Sequence, residues 1–339
     1  MASVSDRRPF GRAGFEVTAI SYGAAPIGNI FRPIVEADAQ ALIAHAWDAG
    51  VRYFDTAPMY GHGLSEHRLG HGLLHRDRDE FVISTKVGRT LVPRRRGTFD
   101  TGVWVDTAPF EAVFDYSYDA TMRQVEDSLQ RMCTDRVEIA FIHDIDAYTH
   151  GPVEAPKRFA EAMEGSYKAL LKLREEGVIR AIGVGVNEVE PLVAAAKQGD
   201  FDCFLVAGRY TLLDQDTLDE FLPICEERGI ATVLGGVFNS GILATGATAG
   251  AKFNYSAAPQ EVLTKVQRLQ SVCERYGVPL GAAAVQFAAA HPTVASVCLG
   301  SRTIEQQQLG YDWFATEIPG ELWADLRKEG LIREDAPTP

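Results

Sequence analysis

Residues 51–66, VRYFDTAPMYGHGLSE, contain the clearest strand and turn signals in this chain. The opening residues, VRYF, have the β-branched and aromatic character of a strand, which delivers a carboxylate, Asp55, at its carboxyl end. A Thr-Ala-Pro turn follows and brings a phenol, Tyr60, beside Gly61 and Gly63. A carboxylate and a tyrosine where a buried strand ends indicate chemistry rather than packing.

On both sides of this stretch, short apolar strands alternate with amphipathic helices. Strands are predicted at residues 19–22, 51–54, 81–85, 137–142, 179–186, 201–207, 231–236 and 295–300. Helices are predicted at residues 36–49, 65–74, 122–132, 159–173, from 189, 217–228, 259–276 and after 303. Continuous apolar strands between helices are typical of a parallel sheet that helices cover. Eight such units predict an α/β fold, a closed (β/α)8 TIM barrel, rather than an open doubly wound sheet.

Three segments depart from this alternation. Residues 9–20 suggest a small N-terminal β-hairpin before the barrel, and the end of the chain suggests extra helices near the C-terminus. Residues 87–117 are predicted to form a long substrate loop, because loops of this length inside compact domains are usually functional. A length of 339 residues and a hydrophobic content of 46% allow a single domain over residues 1–339.

The composition excludes several classes of protein. Acidic residues outnumber basic residues by 46 to 33, and the net charge of −13 disfavours nucleic acid and anionic membranes as partners. No apolar stretch has the length of a membrane span and the N-terminus lacks the apolar centre of a signal peptide, so we expect a cytoplasmic protein. The five cysteines are scattered without a C-x-x-C pair, which predicts free thiols.

Polar residues end three consecutive predicted strands. Asp55 ends the second strand, Lys86 the third and His143 the fourth. Alternate residues of a strand share a face, so each of these side chains lies on the same face as the residues two and four positions earlier. Active sites of β/α barrels lie at the carboxyl ends of the strands. If the shared face is the lumen, the three side chains meet at the mouth of the barrel, close to Tyr60.

Two other patterns give weaker signals. Gly183 and Gly185 lack the third glycine of a G-x-G-x-x-G dinucleotide fingerprint. His67, His71 and His75 would share a helix face, but no acidic or thiolate partners are evident. A solvated helix face is the simpler interpretation, and we expect no metal site.

The motifs around these residues resemble those of the aldo-keto reductase superfamily. The similarity lies in FDTAPMYG, STKVG, FIHD, NSGIL and GSRTIEQ, and it covers nearly the whole chain. The variants APIGN, FDYSYDAT and IGVGVNE resemble most the branch that contains D-threo-aldose 1-dehydrogenases, L-fucose dehydrogenases and pyridoxal 4-dehydrogenases. The resemblance implies a nicotinamide cofactor and a catalytic role for Asp55, Tyr60, Lys86 and His143.

The chemistry of these four residues follows from their side chains. A free phenol has a pKa of about 10, so Tyr60 needs a neighbouring positive charge to exchange protons near neutral pH. We expect Lys86 to supply that charge and Asp55 to hold its ammonium in place. His143 is expected to donate a hydrogen bond to the substrate oxygen. In oxidation Tyr60 would accept the hydroxyl proton, and in reduction it would donate one.

The resemblance also implies residues that bind the cofactor. Asn187 matches the asparagine that binds the nicotinamide carboxamide, and further contacts are implied at Asn239, Gly241, Leu243, Gly300, Ser301, Arg302, Thr303 and Gln306. Thr303 and Gln306 fit a capping box at a helix N-terminus that can bind phosphate. The cationic contacts to the adenosine 2′-phosphate correspond to Gly300 and Gln306, with Arg302 the one cation left, which favours NAD over NADP.

The aromatic side chain that stacks on the nicotinamide in the family is absent. Gly235 and Gly236 occupy that region, and Tyr210 and Phe238 are the candidates to compensate for it.

Substrate identity is predicted from the resemblance. Tyr22, Trp104 and Asp144 are expected to contact a small-molecule substrate, either a sugar or an aldehyde. The preferred reaction is oxidation of an aldose of the L-fucose or D-threo type at C1 to the lactone. The alternatives are a pyridoxal 4-dehydrogenase, a general aldehyde or ketone reductase, and a nucleotide-binding regulatory subunit that senses redox state. Exposed helices could support self-association, so a homo-oligomer is possible.

Overall fold

The computed structural model describes residues 2–254 and 256–339, and its central element is a closed barrel of eight parallel strands. The strands in chain order are β1 (Arg7–Pro9), β2 (Glu16–Thr18), β3 (Ile20–Gly23), β4 (Tyr53–Asp55), β5 (Val82–Val87), β6 (Arg89–Pro93), β7 (Phe110–Phe114), β8 (Ile139–His143), β9 (Ala181–Val186), β10 (Cys203–Ala207), β11 (Ala231–Gly235), β12 (Lys252–Phe253), β13 (Ser256–Ala257) and β14 (Val294–Leu299). The barrel runs through β3, β4, β5, β8, β9, β10, β11 and β14, which closes on β3. The predicted TIM barrel is therefore confirmed.

Helices cover the outside of the barrel. Those in the described part of the chain are α1 (Glu36–Asp48), α2 (Leu64–Leu73), α3 (Tyr118–Met132), α4 (Ala147–Glu164), α5 (Ser166–Glu175), α6 (Val189–Gln198), α7 (Phe221–Arg228), α8 (Ile242–Thr245), α9 (Gln260–Arg275), α10 (Leu280–Ala289), α11 (Ile304–Ala315) and α12 (Gly320–Lys328). α11 is the helix predicted after residue 303, and α12 is an extra helix near the C-terminus, as predicted. None of the helices in the described residues combines the length and the apolar character that crossing a bilayer requires.

Strand alternation separates a lumen core from an outer core. The lumen core contains Phe10, Val17, Tyr53, Val82, Ile139 and Phe141, among others. Neighbouring positions along the same strands, such as Phe54, Ile83 and Ala140, face the helices and belong to the outer core. Asp55, Lys86 and His143 continue the lumen-facing alternation to the carboxyl ends of β4, β5 and β8, as the sequence predicted.

The N-terminal hairpin is also confirmed. β1 pairs antiparallel with β2, from Arg7 opposite Thr18 to Pro9 opposite Glu16, about two residues before the predicted span. Phe10 and Val17 are fully buried in the lumen core. The hairpin therefore closes the end of the barrel opposite the predicted active site.

One helix prediction was wrong, and one helix was missed. The apolar stripe at residues 159–173 is divided between α4 and α5 at Gly165, where a Cβ would lie 2.2 Å from the carbonyl oxygen of Tyr116. The backbone must bend at this contact, although the apolar stripe continues across it. α10 was not predicted, because nine of its ten residues are buried and it lacks the polar face of an amphipathic helix.

The segment at residues 87–117 is more ordered than the predicted loop. β6 and β7 pair antiparallel along their full length and form a two-stranded sheet. We call these two strands and their connection, residues 94–109, the mouth hairpin. The connection folds back on the barrel mouth, since Trp104 bridges to Ile30 and the Ala108 N–H donates to the Gly61 carbonyl at 3.1 Å.

Candidate active site

An ion pair is buried at the mouth of the barrel. Lys86 is 1% exposed and Asp55 3%. The Lys86 Nζ donates to Asp55 Oδ2 at 2.7 Å, to Asp55 Oδ1 at 3.0 Å and to the Thr56 carbonyl at 2.8 Å. Burial lowers the pKa of Lys86, but the charges and hydrogen bonds of Asp55 and Tyr60 together outweigh burial and hold the pKa above its ordinary value. Lys86 is therefore an ammonium, as expected.

Tyr60 lies beside this pair, in the turn between β4 and α2. The Lys86 Nζ is 4.7 Å from the centroid of the Tyr60 ring. The turn packs on the loop after β3, where Gly61 has a φ of 65° and a Cβ on it would lie 2.4 Å from the Gly28 carbonyl oxygen. Only glycine meets both conditions, and this close contact fixes the position of the phenol.

The electrostatics of Tyr60 differ from the expectation. Burial raises the pKa of Tyr60 above its ordinary value, the charge of Lys86 lowers it only in part, and Asp55 raises it again. Lys86 therefore lowers the pKa of Tyr60, as expected, but not enough to overcome burial in the ligand-free protein. Because burial outweighs the charge of Lys86, Tyr60 is a neutral phenol there.

His143 stands at the end of β8 with its side chain 12% exposed. Its ring meets Tyr60 edge-on, with centroids 6.0 Å apart. Burial lowers the pKa of His143 well below its usual range, and the charges of Arg89 and Lys86 lower it further. A neutral imidazole carries one N–H, so His143 can donate a hydrogen bond to a substrate oxygen without transferring its own proton.

Arg89 belongs to this site and was not singled out in the sequence. It is 6% exposed on β6. Its Nη1 lies 3.3 Å from His143 Nδ1, and its Nη2 donates to Asp144 Oδ2 at 2.7 Å. Both partners come more than fifty residues later in the chain, so spacing does not reveal them. The available signal was a second cation three residues after Lys86.

Two of the three expected substrate residues border this mouth. The Trp104 ring lies beside the Tyr60 ring, with centroids 5.3 Å apart and the planes tilted by 31°. Asp144 follows His143 directly, and its carboxylate is engaged by Arg89. The mouth hairpin thus supplies an aromatic wall on one side of the phenol.

The expected substrate contact by Tyr22 is wrong. Tyr22 is fully buried in the outer core, with its ring 6.2 Å from that of Phe54. The next residue, Gly23, faces the other way, since a Cβ on it would lie 2.9 Å from the Cys298 Sγ, which packs on the lumen core. Strand alternation therefore turns Tyr22 away from the mouth.

A cleft beside the mouth is lined by Asn187, Gly208, Gly236 and Asn239, among others. The Asn187 N–H donates to the Asp146 carboxylate at 2.8 Å, which fixes its backbone. The Asn239 Nδ2 donates to the Gly208 carbonyl at 3.2 Å, but its buried Oδ1 has no partner among residues 2–254 and 256–339. A buried acceptor without a partner fits a ligand that brings a hydrogen-bond donor.

The start of α11 has the features of an anion site. Thr303 caps the helix, accepting from the Gln306 N–H at 3.2 Å, and Gln306 Oε1 accepts from the Arg302 N–H at 3.1 Å. The Ser301 Oγ is buried and finds no hydrogen-bond partner within the described chain. A free hydroxyl beside a capped helix N-terminus fits a phosphate group of a nucleotide. With the Asn239 acceptor, the residues present fit a dinucleotide cofactor.

Two residues at this end bear on the choice of nucleotide. A Cβ on Gly300 would lie 3.1 Å from the Pro26 ring, so a larger side chain would be crowded there. The Arg302 guanidinium donates to the Ile30 carbonyl at 2.8 Å and to the Arg32 carbonyl at 2.7 Å. The cation left at this end is thus engaged by the backbone.

Other expected cofactor residues are placed differently. The N–H groups of Gly241 and Leu243 both donate to the Phe238 carbonyl, at 2.9 and 3.1 Å, and therefore do not face a ligand. Tyr210 cannot replace the stacking aromatic, because it is 1% exposed and stacks on Phe287 in the core. Phe238 is partly exposed and meets Trp313 edge-on at 5.6 Å, so it remains a candidate.

The cysteines and histidines give no further site. All five cysteines are free. Within the described ranges no group of three or more histidine, cysteine and acidic side chains is arranged to hold a metal ion.

Comparison with known proteins agrees with this geometry. Residues 19–329 match the model of the Aldo/keto reductase family, and the chain belongs to this family of oxidoreductases, which use NAD(P)H on small-molecule substrates. Among its relatives, a pyridoxal 4-dehydrogenase from Microbacterium luteolum is 44% identical over 97% of this chain and 98% of its own. A D-threo-aldose 1-dehydrogenase from a Pseudomonas species is 38% identical over 96% and 97%. A solved aldo-keto reductase from Bacillus halodurans, in its holo form, has the same fold, with a TM-score of 0.71 over 96% of each chain at 24% identity.

Proposed function

We propose that the protein is an NAD-dependent dehydrogenase that oxidises the hemiacetal carbon of a cyclic substrate and so forms a lactone. The observation that carries this proposal is the Tyr60 phenol between the buried Lys86 ammonium and the neutral His143 imidazole. A proton acceptor and a hydrogen-bond donor that face one substrate hydroxyl are what the oxidation of an alcohol requires.

The reaction assigns one task to each side chain. The substrate hydroxyl lies between Tyr60 and His143, where the His143 N–H holds its oxygen. Tyr60, which is neutral in the ligand-free protein, first loses its own proton to solvent. As phenolate it then accepts the hydroxyl proton while the C–H bond breaks and the C=O bond forms. The cleft lined by Asn187 and Asn239 would hold a nicotinamide, which would supply the hydride acceptor that no protein side chain can provide. Lys86 stabilises the phenolate, and Asp55 keeps Lys86 charged and in place.

The cofactor preference is supported by the start of α11. A 2′-phosphate needs a cation, and Arg302 already donates to three backbone carbonyls in the loop at residues 30–33. Gly300 supplies no side chain. Both features favour NAD over NADP.

Two substrates present a cyclic hemiacetal of this kind. One is an aldose such as L-fucose, oxidised at C1, and the other is pyridoxal in its hemiacetal form. The higher identity to the pyridoxal 4-dehydrogenase, 44% against 38%, supports pyridoxal as the first candidate to test, although the motifs alone favour the aldose. The Trp104 ring beside Tyr60 offers a flat surface to either ring.

Product analysis tests this function. Purified protein is incubated with NAD and pyridoxal, L-fucose or an open-chain aldehyde, and the products are identified by NMR. We expect a lactone and an equal amount of reduced nucleotide. The O-methyl acetal of the same substrate is the matched control, and it must not react because it has no hydroxyl proton to give to Tyr60. Nucleotide binding without turnover would instead indicate a regulatory subunit, and turnover confined to the reduction of open-chain aldehydes a general reductase.

A further inference from the structure

The contact between Arg89 and His143 determines where the imidazole proton lies. A guanidinium has only donors, so at 3.3 Å the Arg89 Nη1 can donate to His143 Nδ1 but cannot accept from it. The Nδ1 is then the acceptor nitrogen, and the single proton of the neutral ring lies on Nε2. Since the charges of Arg89 and Lys86 both oppose a second proton, the ring remains neutral.

Arg89 is itself held firmly in place. Its Nη2 donates to Asp144 Oδ2 at 2.7 Å, and its guanidinium carbon lies 4.2 Å from the centroid of the Phe114 ring. Both sides of the mouth hairpin thus contribute, because Arg89 begins β6 and Phe114, its cross-strand partner, ends β7. The mouth hairpin therefore does more than cover the site, since it positions the Arg89 guanidinium against the Nδ1 side of the His143 ring.

The backbone around Asp144 is arranged to receive this cation. Asp144 has a φ of 55°, in the left-handed region that residues other than glycine rarely adopt. Its N–H donates to the Gly185 carbonyl at 3.0 Å, and the Tyr116 hydroxyl lies 2.8 and 2.9 Å from the carbonyl oxygens of His143 and Asp144. A strained residue held by several contacts beside a functional side chain indicates a constraint that serves the site.

We propose that Arg89, held by Asp144, is a positioning residue that fixes the proton of His143 on Nε2 and so allows this N–H to donate to the substrate oxygen. This inference rests on the proposed function for its catalytic consequence, but the tautomer is a property of the protein alone. Without Arg89, the proton divides between the two nitrogens, and an imidazole protonated on Nδ1 presents a lone pair to the substrate oxygen.

The loss of Arg89 also has a predicted pH dependence. The charged and titratable groups that face His143 or its backbone are Lys86, Tyr60, Arg89, Asp144 and Tyr116. Removing Arg89 removes one repelling charge and leaves Asp144, whose Oδ1 is 3.4 Å from Nε2, without its partner. Both changes raise the pKa of His143, although burial and Lys86 still keep it below its ordinary range. As the pH is lowered, the activity of the variant should therefore fall at a higher pH than the activity of the wild type.

Histidine labelled with ¹⁵N provides the direct test, because NMR distinguishes the two tautomers and the imidazolium without substrate or cofactor. In the wild type we expect the neutral Nε2–H tautomer of His143, and in Arg89→Met a mixture of the two neutral tautomers that becomes protonated at a higher pH than the wild-type ring. The turnover number of Arg89→Met should fall at least about tenfold while the affinity for nucleotide is kept. Arg89→Lys keeps the positive charge but loses the planar guanidinium that donates to His143 and Asp144 together. We therefore expect His143 in this variant to keep a low pKa but to show a mixture of the two neutral tautomers.

The controls separate positioning from folding. Arg275, at the end of α9, forms exposed ion pairs with Asp325 and Glu329. Arg275→Met removes them and should change neither the ¹⁵N spectrum of His143 nor the pH profile of activity. A wild-type spectrum with the proton on Nδ1 overturns the inference even if no Arg89 variant folds. A folded Arg89→Met with the wild-type tautomer and an unchanged pH profile overturns it too. If no hemiacetal is oxidised, the proposed function fails while the tautomer measurement keeps its meaning.

Discussion

The buried Asp55–Lys86 pair is better explained by its effect on Tyr60 than by stability. Removing two charges from water costs several kcal/mol, and an apolar pair of similar volume is often at least as stable. What the pair provides is an ammonium that Asp55 and the Thr56 carbonyl hold 4.7 Å from the centre of the Tyr60 ring. The pKa of Tyr60 stays high in the ligand-free protein because burial raises it most and Asp55 offsets part of the effect of Lys86.

Lys86→Met tests this interpretation. The change leaves the Asp55 carboxylate buried without its partner, so the pKa of Tyr60 rises further and the phenolate forms only at higher pH. The pH at which oxidation is half-maximal should move upward, and the free energy of unfolding should drop by about 3–5 kcal/mol. Denaturant titrations and pH–rate profiles of kcat measure the two effects.

The double variant Asp55→Asn with Lys86→Met is the matched control. It removes the uncompensated charge and should regain most of the stability without restoring the wild-type pH profile. An unchanged profile in Lys86→Met would count against any role of the ammonium in phenol chemistry.

The side chains that meet at the mouth were predictable from the sequence where the alternation within one strand determines which way the side chain points. Asp55, Lys86 and His143 each continue the lumen-facing alternation of one strand, so period-two counting was sufficient. The same counting, applied to β3, would have turned Tyr22 outward. Arg89 was missed for another reason, since its contacts with His143 and Asp144 depend on how the mouth hairpin folds back on the barrel.

Among the helices, the break between α4 and α5 shows how a backbone contact overrides an amphipathic pattern. Gly165 lies so close to the Tyr116 carbonyl that a Cβ would approach its oxygen to 2.2 Å. The same Tyr116 places its hydroxyl 2.8 Å from the His143 carbonyl oxygen. The close contact at Gly165 therefore fixes the backbone of Tyr116, a residue whose hydroxyl supports the active site.

Gly165→Ala should consequently destabilise the protein by about 1–3 kcal/mol, because the Tyr116 backbone has to shift. Gly320→Ala is the matched control, since nothing lies within 4 Å of a Cβ at that position at the start of α12. Thermal melting of both variants measures the difference. Equal melting temperatures would show that the chain accommodates a Cβ at Gly165 without cost.

Amphipathic helices were predictable and a helix buried nearly all round was not. α9 alternates buried positions such as Val266 and Leu269 with charged ones, whereas α10 consists mostly of buried alanine and glycine and gives no period. The pairing of β6 with β7 was missed because glycines and prolines in the connection suggested an open loop. Such pairing depends on partners about twenty residues apart, which local propensity does not show.

For the molecule as a whole, the closed barrel was predictable because eight strand-helix units leave few alternatives. The proposed cofactor preference instead depends on contacts between distant loops. The loop at residues 30–33 engages Arg302, and Pro26 crowds Gly300. Neither contact is visible in the order of residues along the chain.

The protein should bind NADH at least about tenfold more tightly than NADPH, a difference of about 1.4 kcal/mol. The reason is that the 2′-phosphate meets no free cation at the start of α11. Fluorescence titrations with both nucleotides at the same ionic strength give the two dissociation constants. Equal constants would overturn the preference for NAD.

The most direct measurement of the central claim is the single-turnover rate of hydride transfer in Tyr60→Phe, with Tyr22→Phe as the control that makes the same change at a buried phenol facing the outer core. Loss of the Tyr60 hydroxyl should lower that rate about 10²–10⁴-fold while the dissociation constant of the nucleotide stays within about a factor of two. Tyr22→Phe should keep both values. Hydride transfer in Tyr60→Phe at the wild-type rate would contradict the proton-transfer role on which the proposed function depends.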